Sequence, residues 1–389
     1  MPFASSNSEP ANAPVDWGAI SSYDYDLPPE LIASVPLPTR DASRLLVVNR
    51  AERSITHATF RDLPTSLNAG DLLVVNETRV VPAKLRGVRA ATGGKWEGLF
   101  LGIEGPTHWR LIGQTRGKLR PGEELSLYPA DLPDSPERLR LILREQRGEG
   151  EWLVEPVSRV IFRSAKERPV AEQEATLADP WAVVQQLLEK FGTVPLPPYI
   201  ERAAASPEDR ERYQTMFARN PGAIAAPTAG LHFTPELFEA CRERGVEVAP
   251  LTLHVGLGTF RPVATDRLDD HVMHFEYAEL PASTVEAIHR TRQRGGRVIA
   301  IGTTAVRTLE SVAHTGPLRE WAGDTNLFIR PPYEFQVVDA LVTNFHLPKS
   351  TLLVLVSALA GRDLILEAYR QAIAARYRFF SYGDAMLIV

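Results

Sequence analysis

The sequence predicts an α/β main domain with a mostly parallel sheet, plus an inserted small antiparallel β-barrel. Three observations carry this expectation. Leu45-Leu46-Val47-Val48 and Leu72-Leu73-Val74-Val75 are continuous apolar cores, as expected of strands covered on both faces. From Val80 the texture changes to short, often alternating segments separated by Gly, Pro or Asp, which suits a small barrel or sandwich. Over the second half, strand and helix patterns alternate, and such alternation favours parallel pairing. A chain of 389 residues also points to two domains. The division is a flexible extension over 1–22, a main domain over 23–79 and 164–389, and the barrel over 80–163.

In chain order, 31–35 suits a short helix, and 44–48 and 71–75 read as strands. The barrel strands fall at 83–88, 96–103, 109–114, 124–128, 139–144 and 151–155. Helical pattern returns at 181–191 and, in a charged stretch, at 207–219. Thr234 and Pro235 open a helix that Gly245 ends, and 246–253 is a strand. Ser283-x-x-Glu286 reads as a capping box for a basic helix closed by Gly295. A buried strand over 297–301 precedes a helix over 305–312. Ser350 caps a helix over 352–359 with Gly361 after it. Asp363 caps another over 364–377, and 385–389 is a final strand.

Composition excludes several classes. Hydrophobic residues make up 44% and charged residues 23%, the balance of a globular protein. The only cysteine is Cys241, so there is neither an internal disulfide nor a thiolate zinc cluster, and a reducing cytoplasm is expected. The N-terminus lacks the basic start and apolar run of a signal peptide, and no window is apolar long enough to span a membrane. The net charge is −5, yet Arg79, Lys84, Arg86, Arg89, Lys95, Arg110, Arg116, Lys118 and Arg120 face only Glu97 and Glu104 between 79 and 120. A local basic face on an acidic protein fits a polyanion docked at one place, though a solvated face explains the charge equally well.

The most informative stretch is 341–361. Thr343, Asn344, His346, Lys349, Ser350 and Thr351 are crowded between two apolar runs, and polar groups in such a place need partners. The stretch reads as one wall of a ligand site. In parallel sheets ligands lie beyond the carboxyl ends of strands, and His254, Gly302-Thr303 and Asn344-His346 all follow strand patterns. Gly302, Thr303 and Thr304 can hold an anion at a helix N-terminus. Arg307, one turn on, can add a clamp or pair with an acidic neighbour. His232, His254, His274 and His346 are the proton-transfer candidates. Gly256-x-Gly258 has Arg261 where a dinucleotide fingerprint needs a third glycine, so it reads as a turn that lets backbone approach a ligand. His271-x-x-His274 has no HExxH context or cysteine companions, and no metal is expected.

Eight segments carry a family resemblance: YDYDLPPELIA, RDASRLLVV, GDLLVVNETRVVPAKLRG, AAPTAGLHFT, LHVGLGTFRPV, AIGTTAVRTLES, DALVTNFHLPKSTLL and YRFFSYGDAMLI. In this order, from about Tyr23 to Val389, the chain resembles the S-adenosylmethionine:tRNA ribosyltransferase-isomerases of queuosine biosynthesis. The resemblance implies that the ribosyl part of S-adenosylmethionine is moved onto 7-aminomethyl-7-deazaguanine at the tRNA wobble position and isomerised. Adenine and methionine leave, and epoxyqueuosine results. It also implies an α/β domain with an inserted barrel, S-adenosylmethionine as co-substrate without a prosthetic group, and the precursor-bearing tRNA as partner of a monomer.

With that chemistry, His232, His254, His274 and His346 are candidate catalytic residues. Gly256, Gly258, Thr259, Gly302, Thr303, Thr304, Arg307, Asn344, Lys349 and Ser350 are candidates for the cofactor. Arg79, Lys84, Arg86, Arg116, Lys118 and Arg120 are candidates for tRNA. Two places depart from the family pattern: Phe275 stands where Ser is usual, and Pro332 replaces a glycine. Two other classes compete. A non-catalytic RNA-binding module leaves the His- and Thr-rich strand ends idle, and a methyltransferase lacks its Gly-rich first loop.

Overall fold

The computed structural model describes residues 15–105, 107–157, 179–200, 207–256, 258 and 263–389. The chain opens with β1 (Arg44–Asn49) and β2 (Ser54–Thr59), then enters β3 (Leu72–Asn76), which is buried throughout. Short β4 (Thr78–Val80) leads into β5 (Lys84–Arg89), β6 (Lys95–Glu104), β7 (His108–Thr115), β8 (Glu124–Leu127), β9 (Leu139–Gln146) and β10 (Glu151–Val157). Next come α1 (Pro180–Phe191), β11 (Gly192–Thr193), α2 (Pro207–Arg212) and β12 (Asn220–Ala223). The second half runs α3 (Pro235–Glu243), β13 (Glu247–Leu253), β14 (Glu276–Leu280), α4 (Ala282–Gln293), β15 (Val298–Ile301) and α5 (Thr303–His314). It ends with β16 (Trp321–Thr325), β17 (Ala340–Asn344), α6 (Thr351–Ala360), α7 (Arg362–Ala374) and β18 (Ala385–Ile388).

Nine strands make the main sheet, in the order β16-β14-β13-β3-β15-β17-β18-β1-β2. Its centre, β13-β3-β15-β17, is parallel, and so is β18-β1. The other four pairings are antiparallel, so the sheet is mixed rather than mostly parallel. The reason lies in the flanking strands. β14 and β16 alternate buried with exposed or half-buried positions, the mark of antiparallel strands with one wet face. β18 returns between two strands already laid down.

Side chains of each central strand alternate between two cores. Leu72 and Val74 join the layer filled by α4, α5, α6 and α7, while Leu73 and Val75 join Phe60, Leu63 and α3. Cys241 is buried in the second layer, where burial pushes its thiol up to about 11. That removes it from nucleophilic chemistry.

The six strands β5-β6-β7-β10-β9-β8 close into a barrel when Gly87–Arg89 pairs with β8. Trp96, Phe100, Trp109 and Trp152 fill it, and α1 contributes Val184, Leu187, Leu188 and Phe191 to the same core. Gly98 and Gly113 lie under the Trp96 ring, where a Cβ would approach to 2.5 Å. At the other end of the chain's order, packing already begins before Tyr23. Ile20 N–H donates to Asp266 at 3.0 Å, Leu268 N–H to Gly18 at 2.8 Å, and Arg267 pairs with Asp16 at 2.5 Å.

Several helix ends differ from expectation. The 29–31 turn is a single 3-10 turn, and α2 stops at Arg212. Ser283 and Asp363 lie inside their helices rather than at the caps, which fall on Pro281 and Gly361. Thr234 and Ser350 do cap, accepting from the N–H groups of Leu237 and Leu353.

One buried carboxylate organises the approach to β17. Glu310, fully buried on α5, accepts from the N–H groups of Gln336, Val337 and Val338, each at 3.0 Å. Glu310→Gln turns one acceptor into a donor facing those N–H groups. We expect a loss of about 1–3 kcal/mol, read as a lower guanidinium midpoint; an unchanged midpoint would show that the loop holds without it.

Candidate active site

Because β13, β3, β15 and β17 run parallel, their carboxyl ends share one edge. Just beyond them stand His254, Thr78, Gly302-Thr303-Thr304 and Phe345-His346. The antiparallel return of β18 brings Ser381 to the same edge, and β1 brings Ser43.

A cleft encloses about 700 Å³ here, counted to its open mouth. Its walls include Pro227 and Thr228, Gly302 to Thr304, Thr343 to His346, Ser350 and Ser381. Gly302 has φ 93°, a conformation that glycine adopts without strain and that starts α5 directly from β15. The first-turn N–H groups of α5 have no acceptor within the helix. Thr304 Oγ1 is buried without a hydrogen-bond partner.

Asn344 is the hub of the wall. Its Oδ1 accepts from the Thr228 hydroxyl at 2.8 Å, and its Nδ2 donates to Phe380 O at 3.1 Å and toward His232 Nε2 at 3.3 Å. His232 Nδ1 meets Ser43 Oγ at 2.7 Å, and Ser43 donates to Arg40 O at 3.2 Å. Since Asn344 donates to Nε2, the proton of His232 sits on Nδ1. Both ring nitrogens are therefore used. His232 is thereby tied into the wall through both of them.

His346 is different. Nε2 lies 2.8 Å from Thr343 Oγ1, and the backbone is held on both sides by tyrosines: His346 N–H donates to Tyr369 at 2.8 Å and the Tyr25 hydroxyl donates to His346 O. Its Nδ1 has no protein partner among the described residues, and the residue lines the cleft. Burial pushes His346 down to about 3; His232 also falls to about 3, by burial and then by the Arg40 and Arg378 guanidiniums.

The other two histidines line a second cleft, between the sheet and barrel residues Leu101, Arg110, Ile112 and Glu151. His254 Nδ1 bonds Thr78 Oγ1 at 2.8 Å, and burial lowers its pKa. His274 is exposed, and a Cβ on Gly258 would come within 2.5 Å of its ring. Val255 belongs to both clefts. Of the four histidines, His346 lines the first cleft, His254 and His274 line the second, and His232 lies behind the first beside Ser43 and Arg40.

Arg307 does not reach the first cleft. It is buried and ion-paired with Glu276, whose other oxygen accepts from Gly256 N–H at 2.8 Å. Of the two readings of Arg307, the pairing with an acidic neighbour is the one this arrangement presents, with Nη2 buried and unpartnered among the described residues. Lys349 points to Asp24 at 2.7 Å, and Ser350 Oγ is spent on the cap of α6 and on Leu347 O. Thr259 lies outside the described residues. Sequence reasoning missed Ser43, Thr228 and Ser381 as parts of the wall, though the polar cluster before β1 and the AAPTAG segment were visible signals; Thr343 was already named in it. No group of three or more His, Cys, Asp or Glu side chains among the described residues is placed to hold a metal. No helix among them is long and apolar enough to cross a membrane.

Of the basic candidates, Lys84 and Arg86 both pair with Glu97, at 2.5 and 3.4 Å. Arg79, Arg116, Lys118 and Arg120 are exposed and form no ion pair among the described residues.

Comparison with known proteins decides the family. The model of a family described as queuosine biosynthesis protein matches residues 20–388. The chain belongs to this family. A relative from Symbiobacterium thermophilum, named S-adenosylmethionine:tRNA ribosyltransferase-isomerase, is 48% identical over 371 residues, 95% of this chain and 99% of its own. One of the same name from Xanthomonas oryzae is 49% identical over 374 residues, 95% of this chain and 96% of its own. The crystal structure of S-adenosylmethionine tRNA ribosyltransferase from Thermotoga maritima, 35% identical, covers 95% of this chain and 100% of that one with a TM-score of 0.51.

The two buried histidines make stability pH-dependent. Unfolded, each takes up a proton near 6.5; folded, only near about 3. Stability is therefore whole above about pH 6.5 and falls as pH drops toward 3, by up to about 1.4 kcal/mol per pH unit for each histidine. Thermal unfolding followed across this window should show the fall, and His232→Gln should make it shallower. Identical slopes would mean that His232 is protonated in the folded protein too.

Proposed function

We infer that this chain moves the ribosyl part of S-adenosylmethionine onto 7-aminomethyl-7-deazaguanine at the tRNA wobble position and isomerises it, in the cleft at the carboxyl edge. Adenine and methionine are released and epoxyqueuosine is formed. The observation that carries this reading is a near full-length match, at 48% identity, to a protein bearing the name of that activity. The cleft supplies the residue types the chemistry asks for.

Methionine brings a carboxylate, and the first turn of α5 offers N–H groups of Thr303 and Thr304 together with the positive end of the helix. The unpartnered Thr304 hydroxyl adds a donor. The sulfonium acidifies the neighbouring ribose methylene, and a neutral imidazole can take that proton. His346 fits this role, since Thr343 orients one ring nitrogen and the other faces no protein group. Burial keeps its basicity low. Phosphates of docked tRNA would raise it by giving the imidazolium a counter-charge, which couples proton removal to tRNA binding. Asn344 keeps the wall in register, with the Thr228 hydroxyl donating to it.

For tRNA, Arg79 and the loop Arg116–Arg120 are the free cations, whereas Lys84 and Arg86 already share a carboxylate. The basic run on α4 is a weaker alternative, because Arg290 and Arg294 pair with Glu247 and Arg297 with Asp71. The enzyme works as a monomer in the cytoplasm and needs no prosthetic group.

Two experiments test this reading. With precursor-bearing tRNA and labelled S-adenosylmethionine, His346→Ala should lose at least about a hundredfold in turnover while binding the cofactor. Normal turnover, or release of S-adenosylhomocysteine in place of adenine and methionine, would sink it. Reversing the charges of Arg116, Lys118 and Arg120 should weaken tRNA binding and reduce its salt slope by roughly 3, with cofactor affinity unchanged. An unaltered slope would move the docking surface elsewhere.

A further inference from the structure

The second cleft, where the backbone of Gly256 and Gly258 is exposed to a ligand, has a chemistry that is not that of the first. Three strands present one row across their tops. His254 follows β13, Tyr277 lies on β14 and Asp324 on β16. Tyr277 and Asp324 are register partners, and His254 N–H donates to Tyr277 O at 2.9 Å. Strands stand about 4.8 Å apart, so the row spans about 10 Å. This suits a flat bicyclic base with a short arm.

The row begins aromatic and ends anionic. The rings of His254 and Tyr277 are close to parallel, 20° apart, with centroids at 6.0 Å. Phe275, just before the strand begins, lines the same cleft and is 68% exposed, and Tyr277 is 40% exposed. Large aromatic groups left this open are candidates for stacking. His254 is pinned from behind, with Thr78 on Nδ1 and Gly222 so close that a Cβ there would lie 2.7 Å from the ring.

Three carboxylates line this cleft. Glu276 is held by Arg307 and Glu151 by Arg110. Asp324 is exposed and makes no hydrogen bond or ion pair among the described residues. It is the carboxylate left for an incoming cation.

We propose that this cleft receives the wobble base itself: the deazaguanine ring stacks on Tyr277 and Phe275, and its cationic aminomethyl arm meets Asp324. The inference rests on the reading of the chain as a tRNA ribosyltransferase-isomerase and names where its acceptor lies. Charge complementarity selects this occupant, because unmodified guanine has no cation to offer. Position supports it as well. Val255 is common to both clefts, so a base in the second lies next to a nucleoside in the first. The barrel residues Arg110 and Ile112 close the other side, where an anticodon loop has to pass between barrel and sheet. Phe275, the departure from the family's serine, then adds a stacking surface in place of a hydroxyl.

The test compares two tRNAs that differ only at the wobble position, one with 7-aminomethyl-7-deazaguanine and one with guanine. Binding is measured without cofactor at fixed salt. Wild type should prefer the precursor-bearing tRNA. Asp324→Asn should lower that preference about tenfold, leave the guanine tRNA bound as before, and leave S-adenosylmethionine affinity unchanged. Asp324→Glu should retain most of the preference. Tyr277→Ala should weaken both tRNAs alike, and Tyr277→Phe should restore them, since stacking needs the ring and not the hydroxyl. A preference that survives in Asp324→Asn, or equal binding of both tRNAs by wild type, would overturn the proposal. A wild type that prefers the precursor but releases no adenine and methionine would overturn the assigned reaction while leaving the base site standing.

Discussion

The parallel alignment of β13, β3, β15 and β17 is the constraint on which the rest depends. Parallel strands cannot be joined by tight turns, so each needs a long connection that covers a face of the sheet. Those connections supply α4 and α5 on one layer and α3 on the other, and α6 and α7, from the link between β17 and β18, complete the first layer. The same alignment places four chain segments at one edge, each leaving a buried strand and free to carry polar groups. Had β3 run the other way, Thr78 would stand at the far side of the molecule from His254, and the barrel with it.

At that edge the cost of burying polar atoms sorts the residues. Asn344, His232, Ser43 and Thr228 satisfy one another, so this network stiffens the wall and offers little to a ligand. His346 and Thr304 keep one polar atom each without a protein partner, and such groups are rare enough in folded interiors to mark a binding surface. The Glu276–Arg307 pair is joined through one terminal nitrogen, while Arg307 Nη2 is buried without a partner among the described residues. The pair ties the Gly256 backbone to α5 and so fixes the segment between the two clefts.

Much of this arrangement could be read in the sequence. The continuous cores of 45–48 and 72–75 betrayed two-sided burial, and the six barrel segments announced themselves through short alternating strands and turn residues. The coincidence of Gly302 and Asn344 with strand ends pointed to the first cleft, and His254 to the second. What stayed hidden depends on partners distant in sequence. Nothing near Arg307 tells that Glu276, on another strand, claims it. Nothing in TAGLH tells that Ser43 and Asn344 occupy both nitrogens of His232. The antiparallel flanks were lost for a similar reason, since β14 and β16 are half-wet strands whose direction is set by neighbours and not by composition. The caps at Ser283 and Asp363 failed because Pro281 and Gly361, with their own backbone preferences, start the helices earlier.

The place of the barrel in the chain has a consequence for how the protein is made. β3 emerges early, yet its two sheet neighbours, β13 and β15, begin at Glu247 and Val298. Until they are synthesised, a strand that is apolar from Leu72 to Val75 lacks both of its sheet neighbours. The barrel that follows β3 is built mostly from adjacent strands, and such local contacts form quickly. During translation the insert can close while the sheet that surrounds it in sequence is still missing its middle. The exposed stretch 72–76 is then the segment most in need of shielding from other nascent chains.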